Sequence, residues 1–227
     1  YIGEQTMMGD FDDWQGNEQT ALCSDYIMTS VSIYLSFIAM NHALAIIYIL
    51  TYHMFAQGKH FAKFKISTCD PIVIFQYVYC RIGIMRPISS KLKKSAPFLP
   101  AWFCPLSTPM FSKFLEEKTP AWGESDVNCC LYYDFTGWCE YSNWASSHKS
   151  KKQKKWEGMK GFDIYDGELG LLLDLDEGTL SVYKNGVRLG TMMSGLSGEY
   201  TWVAQIIAQA NGRPDQQNVR IERAPLP

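Results

Sequence analysis

Polar and apolar residues alternate with the two-residue period of β-strands along most of the chain beyond its N-terminal quarter. The pattern predicts one strand over 58–66. It predicts a second over 72–86, a stretch rich in Val, Ile, Phe and Tyr that ends before Pro87, with Gly83 as a bulge or bend. The proline-rich stretch 88–121 interrupts the alternation, which is typical of a long irregular connection.

The clearest local signal is a pair of tight turns in the C-terminal half. Strand patterns at 170–175 and 179–184 flank an acidic turn. Asn185-Gly186 then predicts a type I′ hairpin turn, because that turn needs positive φ at both central residues. A third strand at 187–190 runs back, so this region predicts a three-stranded antiparallel meander.

Further strands are predicted at 127–133, 200–208 and 218–223, and no helical period of useful length occurs after residue 58. These patterns together predict an all-β fold, a two-sheet antiparallel β-sandwich, preceded by an atypical apolar N-terminal segment.

That apolar segment, residues 26–57, carries no charged side chain. Twenty apolar residues in a helix span about 30 Å, the thickness of a bilayer core, so residues 26–52 fit a transmembrane helix. Lys59 and the lysines after it would then lie on the cytosolic side. Asn41 and His42 near the centre of such a span weaken this interpretation. Two alternatives stay open: two buried strands, since Tyr, Ile, Val, Ser and Thr are frequent, or a non-native insert such as a retained intron in a gene model.

Charge divides the chain into two parts. Residues 1–58 contain no Lys or Arg and six acids, which gives −6, whereas residues 59–227 contain 21 basic and 17 acidic residues, which gives +4. The net charge of −2 argues against a general nucleic-acid binder. Five lysines between Lys149 and Lys155 favour a solvated loop over a nucleic-acid or nuclear-import patch, because like charges repel.

We therefore expect three parts: an acidic N-terminal segment (1–25), the apolar segment (26–57) and a β-sandwich domain (58–223). Because the sequence begins at Tyr1 rather than Met, we also expect it to be a fragment.

Groups that could support catalysis or metal binding form no recognisable pattern. The seven cysteines show no C-x₂-C spacing, so we expect reduced and mostly buried thiols in an intracellular protein. Asp174, Asp176 and Glu177 predict a turn, since the spacing of the following glycine and glutamate differs from that of a calcium loop. His60 and His148 have no carboxylate or nucleophile at a diagnostic spacing. We expect no enzymatic activity, no cofactor and no metal.

Four segments resemble the SPRY domain family. The most specific is Gly167-Glu-Leu-Gly-Leu-Leu-Leu-Asp-Leu-Asp-Glu-Gly-Thr-Leu-Ser-Val-Tyr-Lys-Asn-Gly-Val-Arg-Leu-Gly190, which resembles the central signature of the family. Gly58-Lys-His-Phe61, Arg81-Ile-Gly-Ile-Met-Arg-Pro87 and Leu196-Ser-Gly-Glu-Tyr-Thr-Trp-Val203 resemble other strands of these domains. Upstream of Gly58 the family has further sandwich strands, whereas this chain has its acidic and apolar segments.

The resemblance implies a sandwich of concanavalin-like jelly-roll architecture that binds a peptide or partner protein through loops at one end. It also implies a cytoplasmic adaptor, or a substrate receptor in ubiquitin ligation, with no catalytic residue set. Two alternatives stay open. One is a single-pass membrane protein anchored by residues 26–52, with its C-terminal domain cytosolic. The other is a carbohydrate-binding sandwich.

Within the aromatic stretch 135–144, Trp138, Tyr141 and Trp144 are the candidate partner-binding residues. Trp and Tyr provide rigid contact area at low entropic cost, which is why they anchor many interfaces. The competing interpretation is that Trp138 or Trp144 fills the core of the sandwich. The partner's identity is not encoded in a motif, and we expect it to be a protein or peptide rather than a nucleic acid.

Overall fold

The strands of the chain build two antiparallel sheets. The computed structural model describes residues 27–28, 32–36, 43–50, 54–68, 77–88, 111–134, 136–145, 151–160, 168–210 and 217–227. Within these ranges lie thirteen strands, numbered in chain order, a six-residue helix α1 (Phe111–Glu116) and a 3-10 turn (Pro120–Trp122). The predicted two-sheet antiparallel sandwich is confirmed.

The first sheet contains six of these strands. Their order across the sheet is β1 (Ile27–Met28), β13 (Gln217–Arg223), β4 (Lys59–Thr68), β9 (Leu169–Asp174), β10 (Thr179–Lys184) and β11 (Val187–Ser194). The meander predicted from the two tight turns is β9–β10–β11. Asn185 and Gly186 have φ values of 50° and 79°, as a type I′ turn requires.

The second sheet contains the other seven strands. Their order is β2 (Ser32–Ser36), β3 (Ala43–Leu50), β12 (Thr201–Ala210), β5 (Tyr77–Met85), β6 (Cys129–Tyr133), β7 (Cys139–Ser142) and β8 (Lys151–Lys154). Gly83 in β5 is not the predicted bulge, because the pairing of β5 with β6 and β12 is in regular register. A Cβ at this position would lie 2.0 Å from the carbonyl oxygen of Cys130, so glycine permits a close approach of two backbones.

The hydrophobic core lies between the two sheets. Phe64 and Leu171 of the first sheet and Ile82 of the second have no exposed surface, and Trp202 is 3% exposed. The rings of Phe64 and Trp202 meet edge to face with centroids 6.0 Å apart. Each such side chain contributes about 1.5–3 kcal/mol when fully buried, so this layer fixes how the sheets pack.

The transmembrane helix considered for residues 26–52 is not found in the described parts of this segment. Where the structure describes this segment it contains β1, β2 and β3. β3 pairs along its whole length with β12, from Ala43 opposite Ala210 to Leu50 opposite Val203. The described residues of this segment are therefore strands, three rather than the two considered, and the three Ile residues and Tyr48 of β3 suit this conformation. No helix among the described residues is long and apolar enough to cross a membrane.

Two further predictions concern loops in the middle of the chain. The connection 88–121 contains α1, a helix too short to show a period in the sequence, while residues 89–110 lie outside the described ranges. The lysine run was expected to be a loop, but Lys151–Lys154 is strand β8. Lysines suit the edge strand of a sheet, where their charge discourages pairing with other chains.

Candidate interaction site

The three aromatic candidates do not share one loop. Trp138 precedes β7, Tyr141 lies within this strand, and Trp144 follows it. The structure therefore places the predicted aromatic site along one strand and at both of its ends.

Trp144 belongs to a buried aromatic cluster. Its side chain has no exposed surface, and its ring centroid lies 6.3 Å from that of Phe111, 5.1 Å from that of Phe114 and 5.8 Å from that of Trp122. Its backbone N–H bonds to the hydroxyl of Ser142 at 3.0 Å. This burial agrees with the competing interpretation that Trp144 fills the core: the residue holds α1 and the 3-10 turn against the end of β7, and we do not include it in the binding site proposed below.

Trp138 and Tyr141 are only partly buried, and each ring has a lysine beside it. The Nζ atom of Lys155 lies 5.7 Å from the centroid of Trp138, and that of Lys152 lies 5.9 Å from the centroid of Tyr141. Such cation–π contacts are worth about 0.5–1 kcal/mol at exposed sites. They bring lysines and aromatic rings together along β7 and β8, where Tyr141 also packs against the edge of the hydrophobic core.

The loop that carries Trp138 is held rigidly by its neighbours. Gly137 has φ of 74° and its N–H bonds to the carbonyl of Tyr133 at 2.7 Å. Its own carbonyl accepts a 2.7 Å hydrogen bond from the indole of buried Trp156. A Cβ on Gly137 would lie 2.5 Å from the backbone of Lys160, so only glycine fits. This packing fixes the backbone at Gly137, directly before Trp138.

A buried ion pair connects β5 and β7 on the outer face of the second sheet. Nε of Arg81 donates to Glu140 at 2.7 Å, and Glu140 is 1% exposed. The amide of Gln153 donates to the other carboxylate oxygen at 2.8 Å, which ties β8 to β7. Sequence reasoning missed this network, since only strand register brings Arg81 and Glu140 together.

The lysines of β8 and β4 have different surroundings. On β4, Lys59 pairs with Asp174 at 2.9 Å, and Lys63 and Lys65 pair with Glu168 at 2.8 and 3.5 Å. Three exposed lysines of the β8 region have no carboxylate oxygen within 4.0 Å among the described residues: Lys152, Lys154 and Lys155. The β8 edge is therefore a basic surface whose charges are not neutralised by the described part of the fold.

β8 is also the last strand of its sheet. It pairs with β7 on one side, from Ser142 opposite Lys151 to Cys139 opposite Lys154. On its other side, no strand in the described ranges pairs with it. Every second residue of such a strand directs its N–H and C=O groups away from the sheet, where they can bond to another extended chain.

The acidic cluster predicted as a turn is confirmed as one. Asp174 accepts a 3.1 Å hydrogen bond from the N–H of Glu177, and Asp176 accepts one of 3.0 Å from the N–H of Gly58. The hydrogen bond from Lys59 holds the pKa of the Asp174 carboxyl below its usual range. Among the described residues, no group of three His, Cys, Asp or Glu side chains is placed to hold a metal ion.

Four cysteines lie within the described ranges. Cys80, Cys129, Cys130 and Cys139 are free thiols with no exposed surface, as expected for buried reduced cysteines. The sulfur atoms of Cys130 and Cys139 are 3.6 Å apart. Burial raises the pKa of the Cys80 and Cys130 thiols, so neither is suited to act as a nucleophile.

No protein-family model and no curated protein matches the chain. Similar solved structures include the SPRY domain of human HERC1, at 13% identity over 80% of this chain and 87% of that chain, with a TM-score of 0.44. The TRIM65 PSpry domain is 13% identical over 73% of this chain and 70% of that chain, with a TM-score of 0.37. A GlcNAcα1-4Gal-releasing endo-β-galactosidase from Clostridium perfringens is 9% identical over 80% of this chain and 46% of that chain, with a TM-score of 0.40.

Proposed function

We propose that this chain is a non-enzymatic protein-interaction module that binds a peptide or partner protein at the β7–β8 edge. The observation that carries the proposal is the combination of two partly exposed aromatic residues, Trp138 and Tyr141, with unneutralised lysines on an open strand edge. Aromatic anchors surrounded by polar groups are the usual arrangement of binding hot spots. The resemblance of the sequence to SPRY domains supports the same class of function.

The resemblance to SPRY domains also suggests a more specific cellular role. We propose a cytoplasmic adaptor or a substrate receptor in ubiquitin ligation. The four buried free thiols support a reducing compartment, since disulfides are rare in the cytosol. The rigid loop around Gly137 supports recognition by a preformed surface, which lowers the entropic cost of binding.

The test compares partner capture by the wild-type chain with capture by Trp138→Ala and Tyr141→Ala. Met54→Ala is the matched control, because Met54 is 56% exposed and lies outside the β7–β8 edge. Bound proteins are identified by mass spectrometry from a lysate of the cells that make the protein, and thermal melting is recorded for each variant. We expect the two aromatic variants to lose the same set of proteins, while the control retains them and all melting temperatures stay within a few degrees.

The proposal fails if both aromatic variants capture the same proteins as the wild type. It also fails if the wild type binds immobilised glycans through Trp138 and Tyr141 and captures no protein that depends on them. That second outcome would assign the site to a carbohydrate-binding sandwich, the other class that the sequence left open.

A further inference from the structure

We infer that the occupant of the β7–β8 edge is an extended peptide with acidic side chains, which adds to β8 as a further strand. This inference rests on the proposed function and names the chemistry of its partner. Three independent features support it: the charge of the β8 edge, its open backbone, and the spacing of its lysines.

The positive charge of β8 favours an acidic ligand. Lys152, Lys154 and Lys155 repel one another and are not neutralised within the described ranges. On β4, in contrast, Lys59, Lys63 and Lys65 each have a carboxylate partner. Carboxylates brought by a partner would relieve the repulsion on β8, and complementary charge of this kind also raises association rates.

The open backbone of β8 favours an extended ligand. Strand addition supplies main-chain hydrogen bonds whatever the sequence of the peptide, while side chains at alternate positions provide specificity. β8 is already fixed to the body of the sheet by its pairing with β7 and by the bond from Gln153 to Glu140. The edge is thus preformed, and only the peptide has to become ordered.

The spacing of the lysines defines which peptide fits. Register places Lys152 and Lys154 on the face of the sheet that Tyr141 and Cys139 share, and Gln153 on the opposite face with Glu140. Side chains two residues apart on a strand lie about 7 Å apart. A peptide with acidic residues at every second position would match the two lysines. Its intervening residues, which face Gln153 and the buried Glu140, should be neutral.

Nucleic acid fits this surface less well. A phosphate backbone would use the lysine charges but not the outward N–H and C=O groups of the strand, and the run contains no Arg, which is the residue that contacts guanine most often. The lysines could also serve only to keep copies of the chain apart, a common role on edge strands. Both possibilities are outcomes of the experiment below.

The experiment measures fluorescence anisotropy with the full 227-residue chain. The probe is a labelled nonapeptide that alternates Glu and Thr. The test variant is Lys152→Glu with Lys154→Glu, and the control is Lys113→Glu with Lys118→Glu, which changes the net charge equally at two other exposed lysines. We expect the test variant to bind about tenfold more weakly or worse, since it exchanges attraction for repulsion at two positions, and the control to bind as the wild type does.

Two modified peptides separate strand addition from charge attraction. In one, the amides of all odd-numbered residues are N-methylated, and in the other those of all even-numbered residues. Because only one set of amides can face β8, we expect one peptide to lose binding and the other to retain it. Equal binding by both peptides would overturn strand addition.

Other results also overturn the inference. A single-stranded oligonucleotide that binds more tightly than the peptide and shares the lysine dependence would identify a nucleic-acid surface. If the wild type does not bind the peptide and the test variant self-associates, the lysines serve only to keep copies of the chain apart. A peptide of residues 1–25 that binds in trans more tightly than the probe would make the chain's own acidic segment the occupant. If Trp138 and Tyr141 still determine protein capture while the acidic probe does not bind, this inference fails and the proposed function stands.

Discussion

The guanidinium carbon of Arg86 lies 4.1 Å from the ring centroid of Tyr200, and neither side chain has any exposed surface. The two residues meet at the end of the sandwich where the connection after β5 packs against the segment before β12. One Nη atom of Arg86 donates to the carbonyls of Ser197 and Glu199, both at 2.9 Å. A single buried cation therefore joins two segments that are more than 100 residues apart in sequence.

We predict that Arg86→Met lowers the free energy of unfolding by about 3–5 kcal/mol, because it removes a fully buried cation whose hydrogen bonds serve several partly buried carbonyl groups. Urea denaturation followed by tryptophan fluorescence measures the change. Arg223→Met is the control, since Arg223 is exposed, and it should change the stability by less than about 0.5 kcal/mol. Equal effects of the two substitutions would show that Arg86 does not hold this end together.

A second prediction separates the two tryptophans that flank β7. Trp144→Ala removes a fully buried ring from contact with three aromatic residues and should cost about 3–5 kcal/mol of stability. Trp138→Ala removes a partly exposed ring and one lysine contact, and should cost about 1 kcal/mol. Chemical denaturation of both variants gives the comparison. A smaller loss for Trp144→Ala than for Trp138→Ala would contradict the observed packing.

A third prediction concerns two glycines that are required for different reasons. Gly83→Ala places a Cβ 2.0 Å from the carbonyl oxygen of Cys130, so the paired strands β5 and β6 must separate, and we expect a loss of about 3 kcal/mol or more. Gly186→Ala meets no atom within 4 Å but must adopt φ of 79°, so we expect a loss of about 1 kcal/mol. Thermal melting of the two variants provides the test. A milder effect at Gly83 than at Gly186 would argue against the close approach of β5 and β6.

The features that could be predicted from the sequence are local ones. The hairpin at Asn185-Gly186 depends on the φ angles of two adjacent residues, and the acidic turn at Asp174 depends on bonds within a few positions. For the same reason most strands predicted after residue 58 begin and end within about two residues of those observed where the structure describes them, whereas β11 extends to Ser194 and β7 and β8 were not predicted.

What the sequence could not predict depends on long-range register. The lysine run resembles a loop until β7 is available to pair with it, and Trp144 resembles a surface anchor until Phe111 and Trp122 surround it. In the apolar segment, β3 likewise depends on a partner, β12, that lies about 150 residues further along the chain. In the candidate site, the aromatic residues were visible in the sequence but the open strand edge was not.

The last prediction concerns pH and the ion pair between Lys59 and Asp174. The hydrogen bond from Lys59 lowers the pKa of Asp174 in the folded chain, so folding favours the ionised carboxylate. This contribution is fully present above about pH 4, the ordinary pKa of an unfolded Asp, and is lost as the pH falls through the lowered pKa. Asp174→Asn should therefore unfold more easily than the wild type at pH 7, with the gap narrowing towards pH 2. Urea midpoints from pH 7 to pH 2 measure it, with Asp126→Asn, an exposed carboxylate, as the control. A gap that stays constant or widens on acidification would show that the Asp174 carboxylate does not stabilise this turn.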